Sequence, residues 1–362
     1  MENRDDTHRS QPSSGGESRL RVAAFTGSES ISSRRFRVMQ YVPRLAKMGV
    51  QVDEHIARFG SWPPVSKATR PLWLIGTVLN RIAPVFRSYS HDLTLLQREF
   101  VSTFLTLERF TRRPRVLDVD DAVWLVNRRA EKNFRSLVKM CDGVICGNKF
   151  IAKHASQWNE NTIVLPTGVD TERFHPIQKK PEGRAIIGWS GLNAGAKFLL
   201  GIEKMLYQVL RRRTDAVLRV VSDGRPNFLL LDDSMVEFMP WSPENEVRTI
   251  QEMSVGLMPI DETPWSSGKC SYKMLLYMAC GVPVVVSPFG MNAEVLAYDK
   301  VGFGARSESE WAEAITWLLD NPSRGKGMGM TGRKVIDDNY SLNVLTPRLG
   351  AYLMSFRKQG RV

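Results

Sequence analysis

The sequence predicts an α/β protein of two tandem domains, each a parallel sheet covered by helices, with a cleft between them. Three observations predict it. At 362 residues the chain exceeds the size at which a single core keeps growing. Its strand-like and helix-like segments alternate, the rhythm of parallel βαβ units. That alternation also runs twice, interrupted by residues 171–183, which carry Pro176, Pro181 and several charges.

In the first series, residues 19–25, 50–55, 92–96, 116–118, 143–146 and 162–165 are apolar and strand-like, with helices expected over 36–48 and 150–158. In the second, strands are expected over 185–188, 216–222, 236–238, 255–260 and 283–286. Helices are expected over 196–212, 244–253, 272–280 and 308–319, and again after Tyr340. The domain scheme is then a polar, disordered tail (1–18), a first domain (19–170), a linker (171–183) and a second domain (184–339). The last helix (340–358) would cross back to the first domain. Open parallel sheets bind ligands at the carboxyl ends of their strands, so the chemistry is expected in the cleft.

Composition narrows the function. The longest apolar stretch, 71–86, is broken by Asn80, Arg81 and Pro84, whereas a spanning helix needs about 20 nearly uninterrupted apolar residues. Residues 73–85, flanked by Arg70, Arg81 and Arg87, suit either a membrane surface or a core helix. The polar N-terminus lacks the apolar region of a signal peptide, and Cys141, Cys146, Cys270 and Cys280 show no zinc-type pairing. Free thiols in a cytoplasmic protein are expected. The net charge of +12 is lopsided. Residues 1–180 hold 29 Lys and Arg against 18 Asp and Glu, and residues 181–362 hold 21 against 20. The first half would therefore face something anionic, a phosphate-bearing acceptor or an anionic membrane leaflet, unless the excess is simply a solvated face. No helix-turn-helix, zinc or RNA-recognition signature accompanies the charge, so nucleic acid is not expected as a partner.

Several local patterns carry chemistry. The run Pro264-Trp265-Ser266-Ser267-Gly268-Lys269-Cys270-Ser271 sets hydroxyls, a glycine and a cation just before a helix N-terminus, an anion-binding arrangement to which Lys273 adds a second cation. Gly188-Trp189-Ser190-Gly191 ends a strand and leads into a helix bearing Lys197, so main chain and lysine would meet a phosphate. Both patterns also fit ordinary packing turns. The acidic cluster Asp118-Val119-Asp120-Asp121 lies at a strand end and allows three readings: a divalent-metal site, a turn cap at Asp121, or a catalytic group, the reading preferred for Asp120 and Asp121. Arg34, Arg35 and Arg37, after the first strand, and Arg98, after the strand near Leu96, are expected to contact an acceptor's phosphate. Each is also read as a plain surface arginine.

These motifs resemble glycosyltransferase family four, the retaining group 1 glycosyl transferases of GT-B architecture. Leu165-Pro166-Thr167-Gly168-Val169-Asp170, followed by Phe174-His175-Pro176, is similar to that family's inter-domain signature. Tyr277-Met278-Ala279-Cys280-Gly281-Val282-Pro283-Val284-Val285, with Gly290 and Glu294 behind it, is similar to its donor-side motif. Arg35-Phe36-Arg37-Val38 and residues 45–49 resemble the first helix of a subgroup acting on lipid-linked or polysaccharide acceptors. The resemblance covers roughly residues 20–355. It implies two Rossmann-like domains whose parallel sheets face a central cleft, a nucleotide-sugar donor on the second domain and a lipid-linked or glycan acceptor on the first. It also implies retention of configuration and no metal or other cofactor, and it assigns Lys197 to the donor diphosphate. Trp241 would flank the base, and Ser190, Gly191, Gly268, Lys269, Cys270, Ser271 and Lys273 would complete the donor site. One departure matters. The family's two glutamates, spaced at the seven-residue interval, fall here on Gly268 and Leu276. Lys269 and Ser271 are expected to replace the first, and the ribose contact is unaccounted for. A catalytically silent GT-B subunit serving a partner transferase is therefore the alternative.

Overall fold

The computed structural model describes residues 19–29, 31–60, 62–178 and 182–357. The expected tail, 1–18, lies outside them, as do parts of the expected linker and the last residue of the expected final helix.

Two six-stranded sheets carry the fold, and every ladder among the described residues is parallel. The first sheet has the order β2-β1-β3-β4-β5-β6, from β1 (Leu20–Thr26), β2 (Val50–Ile56), β3 (Leu93–Gln97), β4 (Arg115–Val119), β5 (Gly143–Cys146) and β6 (Thr162–Val164). The second has the order β12-β11-β10-β7-β8-β9, from β7 (Ala185–Ser190), β8 (Ala216–Ser222), β9 (Val236–Pro240), β10 (Val255–Met258), β11 (Val284–Val286) and β12 (Gly302–Gly304). Strands β3, β4, β5, β8, β10 and β11 are buried along their whole length. Helices cover both faces of such strands, so they read as apolar runs rather than alternations. This is the GT-B architecture.

The helix Leu342–Ser355 crosses back to the first sheet. Leu342, Leu345, Leu349 and Leu353 share a core with Leu20, Val22, Leu93 and Ile145, and the Tyr352 hydroxyl accepts from the Val144 amide at 3.1 Å. Two expected helices are broken. The segment expected over 36–48 is helical at Ser32–Arg37, turns through a 3-10 segment at Met39–Tyr41 and restarts at Val42–Lys47 with Pro43 in its first turn, where a missing amide costs nothing. The segment expected over 196–212 divides at Gly201 into Ala196–Leu200 and Glu203–Arg212.

Candidate functional site

The strand ends of the two sheets face each other, and one apolar core spans both, joining Val119 and Cys146 of the first domain to Cys270, Met274 and Tyr277 of the second. The two sides of this cleft differ in charge chemistry.

On the first-domain side every candidate charge has a partner. Arg37 is buried. Its Nε and Nη2 fork onto Asp118 at 3.1 and 2.5 Å, and Nη1 donates to the Leu165 carbonyl at 2.8 Å. Arg98, in the left-handed region at φ 60°, reaches both remaining aspartates: Nε to Asp120 Oδ1 at 2.8 Å and Nη2 to Asp121 Oδ2 at 2.9 Å. Burial would raise the Asp120 carboxyl, but the guanidiniums of Arg98 and Arg37 outweigh it and hold the group below the usual carboxylate range. Asp120, Asp121 and Arg98 line a cavity of about 340 Å³, shared with the loop after β1 and with Leu192 of the second domain.

The arginines expected to act together do not. Arg34 forks onto Glu54 at 2.7 Å through both Nε and Nη2. Arg35 pairs with Glu246 across the cleft, its guanidinium 4.6 Å from the Phe36 ring centre. Arg37 points into the protein. Three carboxylates on three elements draw the side chains apart, and Arg37, with a buried side chain and all its donors engaged inside, is withdrawn as an acceptor contact. Arg98 is not a surface arginine; it fixes the aspartate pair.

The second-domain side carries two lysines, Lys197 and Lys273, that make no ion pair among the described residues, although Asp261 lies within Coulombic reach of the first and Asp121 of the second. Gly191 directly follows β7, and a Cβ there would come within 2.2 Å of Lys273 Cε, so the absent side chain is what lets Lys273 lie across the strand end. Its ammonium sits 5.7 Å from the Trp189 ring centre and makes no ion pair among the described residues. Burial, with Lys269 nearby and only partly offset by Asp121, pushes its pKa down to about 8. Lys197, in the helix Ala196–Leu200, is exposed and likewise makes no ion pair among the described residues. Ser190 is buried, its amide donating to the Tyr277 hydroxyl at 2.8 Å. Trp241 is 39% exposed, with its indole N–H on Glu246 at 3.3 Å.

The loop between these lysines docks on the first domain. A Cβ on Gly268 would meet the Ala122 amide nitrogen at 2.7 Å, closer than real Cβ atoms come, so the glycine permits the approach and a glutamate there would push the domains apart. The Cys270 thiol is buried against the Asp120 carbonyl at 3.1 Å. Gly268 and Cys270, expected at the donor, thus join the domains instead: their side-chain positions are filled by the first domain. Ser271 is buried at φ 49° before the helix Tyr272–Ala279. Ser266, expected to offer a flexible hydroxyl, turns it back to Asp261. Lys269 spans the gap to Asp121 Oδ1 at 3.1 Å, and Leu276 is buried.

Two functional positions were not foreseen. Asn148 caps the helix Lys149–Ala155 and donates to the carbonyls of Ser267 and Lys269, both at 3.1 Å. Asn after a strand and before a helical pattern is a cap signal, but nothing local announces its second role. Glu246 gathers Arg35 and Arg173 from distant segments and Trp241 from five residues before it.

The cluster at 118–121 therefore faces Arg37, Arg98 and Lys269, and among the described residues no group of three or more His, Cys, Asp or Glu is placed to hold a metal ion.

Residues 186–321 match the family model described as glycosyl transferases group 1. Over 213 residues, 53% of this chain, the sequence is 27% identical to a GDP-mannose-dependent monoacylated alpha-(1-6)-phosphatidylinositol monomannoside mannosyltransferase from Corynebacterium glutamicum. The match spans 55% of that relative, so the chain aligns with about half its length. Among solved structures, sucrose-phosphate synthase from Thermosynechococcus elongatus superposes with a TM-score of 0.73 at 16% identity, covering 94% of this chain and 100% of that one. WaaG, a glycosyltransferase involved in lipopolysaccharide biosynthesis, gives 0.66 at 14% identity, with 92% and 99% covered. Anabaena HepE in complex with UDP gives 0.63 at 12% identity, with 93% and 100% covered. At these identities the solved structures speak to the fold.

Proposed function

Taking residues 186–321 as a glycosyl transferases group 1 domain within a GT-B fold, we propose that the chain moves a sugar from a nucleotide-sugar donor to a lipid-linked or polysaccharide acceptor. The observation that carries this reading is the contrast at the cleft: Lys197 and Lys273 stand unpaired at the strand ends of the second domain, while the first-domain charges are matched. A half-buried cation such as Lys273 is costly to hold without an ion-pair partner in an empty site, and a diphosphate supplies the missing charge. The mannosyltransferase relative uses a GDP-sugar and HepE was crystallised with UDP; both support a nucleotide diphosphate here.

In the proposed reaction the bond between the anomeric carbon and the phosphate oxygen breaks as the acceptor oxygen bonds to the same carbon. Attack from the same face retains configuration, and the acceptor's proton passes to the departing phosphate oxygen. Lys273, Lys197 and main-chain amides neutralise that phosphate in place of a metal ion. Asp120, held ionised by Arg98, stabilises the positive charge developing on the sugar ring. With Asp118 forked by Arg37, and Asp120 and Asp121 shared by Arg98 and Lys269, a divalent ion would have to displace cations already seated. Work at the cytoplasmic face of a membrane fits a lipid-linked acceptor, and no helix among the described residues is long and apolar enough to cross a bilayer.

A catalytically silent subunit is the second reading, favoured by one observation: neither Gly268 nor Leu276 supplies the family's carboxylate. A panel of radiolabelled nucleotide sugars separates the two. Donor hydrolysis or transfer to lipid-linked acceptors supports the transferase. Saturable binding with no turnover for any donor and acceptor pair would establish the silent subunit.

A further inference from the structure

The helix Arg70–Arg87 is built inside out. Its buried residues are Thr77, Arg81 and Val85, two of them polar, whereas Leu72, Ile75, Leu79, Ile82 and Phe86 face solvent. At 100° per residue those five fall within an arc of about 80°, a continuous apolar stripe along a helix about 27 Å long. A surface helix normally turns such a stripe to the core. Arg81 holds this one the other way: its guanidinium donates to the carbonyls of His55 at 2.5 Å and Thr26 at 2.6 Å and lies 4.9 Å from the Phe100 ring centre. The preceding segment adds Phe59, Trp62 and Val65, more than half exposed. Trp62 also lines the cavity before Asp120 and Asp121.

The charge around the stripe has one sign. Residues 55–91 contain no Asp or Glu but five cations, Arg58, Lys67, Arg70, Arg81 and Arg87, and all except Arg81 are exposed. We propose that this face docks on an anionic lipid bilayer, the helix lying in the headgroup region with its stripe toward the acyl chains. Three features together match that partner: apolar side chains in one arc, aromatic rings at its end, and cations unaccompanied by acids. On the transferase reading, the cavity mouth at Trp62 then opens at the membrane plane, and an acceptor headgroup reaches Asp120 without its lipid leaving the bilayer.

The test is co-sedimentation of the full chain with phosphatidylglycerol–phosphatidylcholine vesicles and with phosphatidylcholine alone, for wild type and for Ile75→Glu combined with Leu79→Glu. Both side chains are exposed, so the melting temperature should hold. Wild type should partition onto the anionic vesicles, more weakly onto neutral ones and at high salt, and the double variant should lose about tenfold or more in partitioning. Wild type left in the supernatant, or a variant that binds as well, overturns the proposal. So does light scattering that shows a dimer which the double variant turns into a monomer, since the stripe would then belong to a second copy. Nucleotide-sugar thermal shifts on the same samples separate the two readings: vesicle binding without any such shift would sink the transferase and leave the surface standing.

Discussion

The two rims of the cleft use their charged side chains differently. On the first domain, Arg34, Arg35, Arg37 and Arg98 are each matched to a carboxylate. On the second, Lys197 and Lys273 have none among the described residues. Arginine's planar fork suits fixed two-point pairing, whereas lysine's point charge is easily desolvated and shifts its pKa readily. On the proposed reading the first rim positions its carboxylates and the second receives the donor's diphosphate. Perturbed cations in a cleft, not the number of cations, mark where a ligand belongs.

If that division is right, the largest stability effect sits on the first rim. Arg37→Met leaves the Asp118 carboxylate buried without its fork, and breaking a buried pair from one side costs about 3–5 kcal/mol. Urea unfolding should show it. A loss under about 1 kcal/mol would mean that Arg37 is not structural and would restore it as a contact for acceptors.

A pH dependence sharpens the second rim. Lys273 titrates at about 8, below lysine's ordinary range near 10.4. Its folded pKa is depressed, so charging it opposes folding below about pH 8, and that cost fades as pH rises from about 8 toward 10.4. Anion binding needs the charged form. Affinity for a nucleoside diphosphate should therefore hold below pH 8 and fall above it, by up to about tenfold per pH unit for one proton. In Lys273→Arg the fall should vanish from that window. Calorimetric titrations at several pH values measure both, and an affinity flat to pH 10 in wild type would remove Lys273 from the site.

The smallest effect belongs to the bridge between the rims. Lys269 and Asp121 form a partly exposed pair, so Lys269→Ala should cost less than about 1 kcal/mol of unliganded stability. Its influence should appear instead as a wider cleft, read by small-angle scattering.

Much of the fold was legible because buried parallel strands are apolar runs: residues 216–222 stand as expected. The breaks came where local chemistry overrides period. Pro43 restarts a helix, and Gly201 divides another. The helix Arg128–Met140 escaped notice under its charge, although Ala130, Phe134, Leu137 and Val138 carry its buried face. The helix Pro322–Asn339 hid behind buried Gly325, Gly329 and Gly332, residues of poor helix propensity that it needs for close packing. At the site, Gly191 and Lys273 were both singled out in the sequence, and the fold brings them together just beyond β7. The pairing of Arg37 with Asp118, 81 residues away, and of Arg35 with Glu246, 211 away, was not. Only the folded sheets bring those charges together, and a run of arginines looks the same in sequence whether it faces water or carboxylates.

The most direct measurement is a thermal-shift screen of UDP-, GDP-, ADP- and dTDP-sugars on wild type, Lys197→Ala and Lys197→Ala combined with Lys273→Ala. At least one donor should raise the wild-type melting temperature, since a ligand at a hundred times its Kd adds about 2.7 kcal/mol. Lys197→Ala alone should remove that shift with the unliganded melting temperature nearly unchanged, and the double variant should show none. An equal shift in the double variant would place the diphosphate elsewhere and contradict the account.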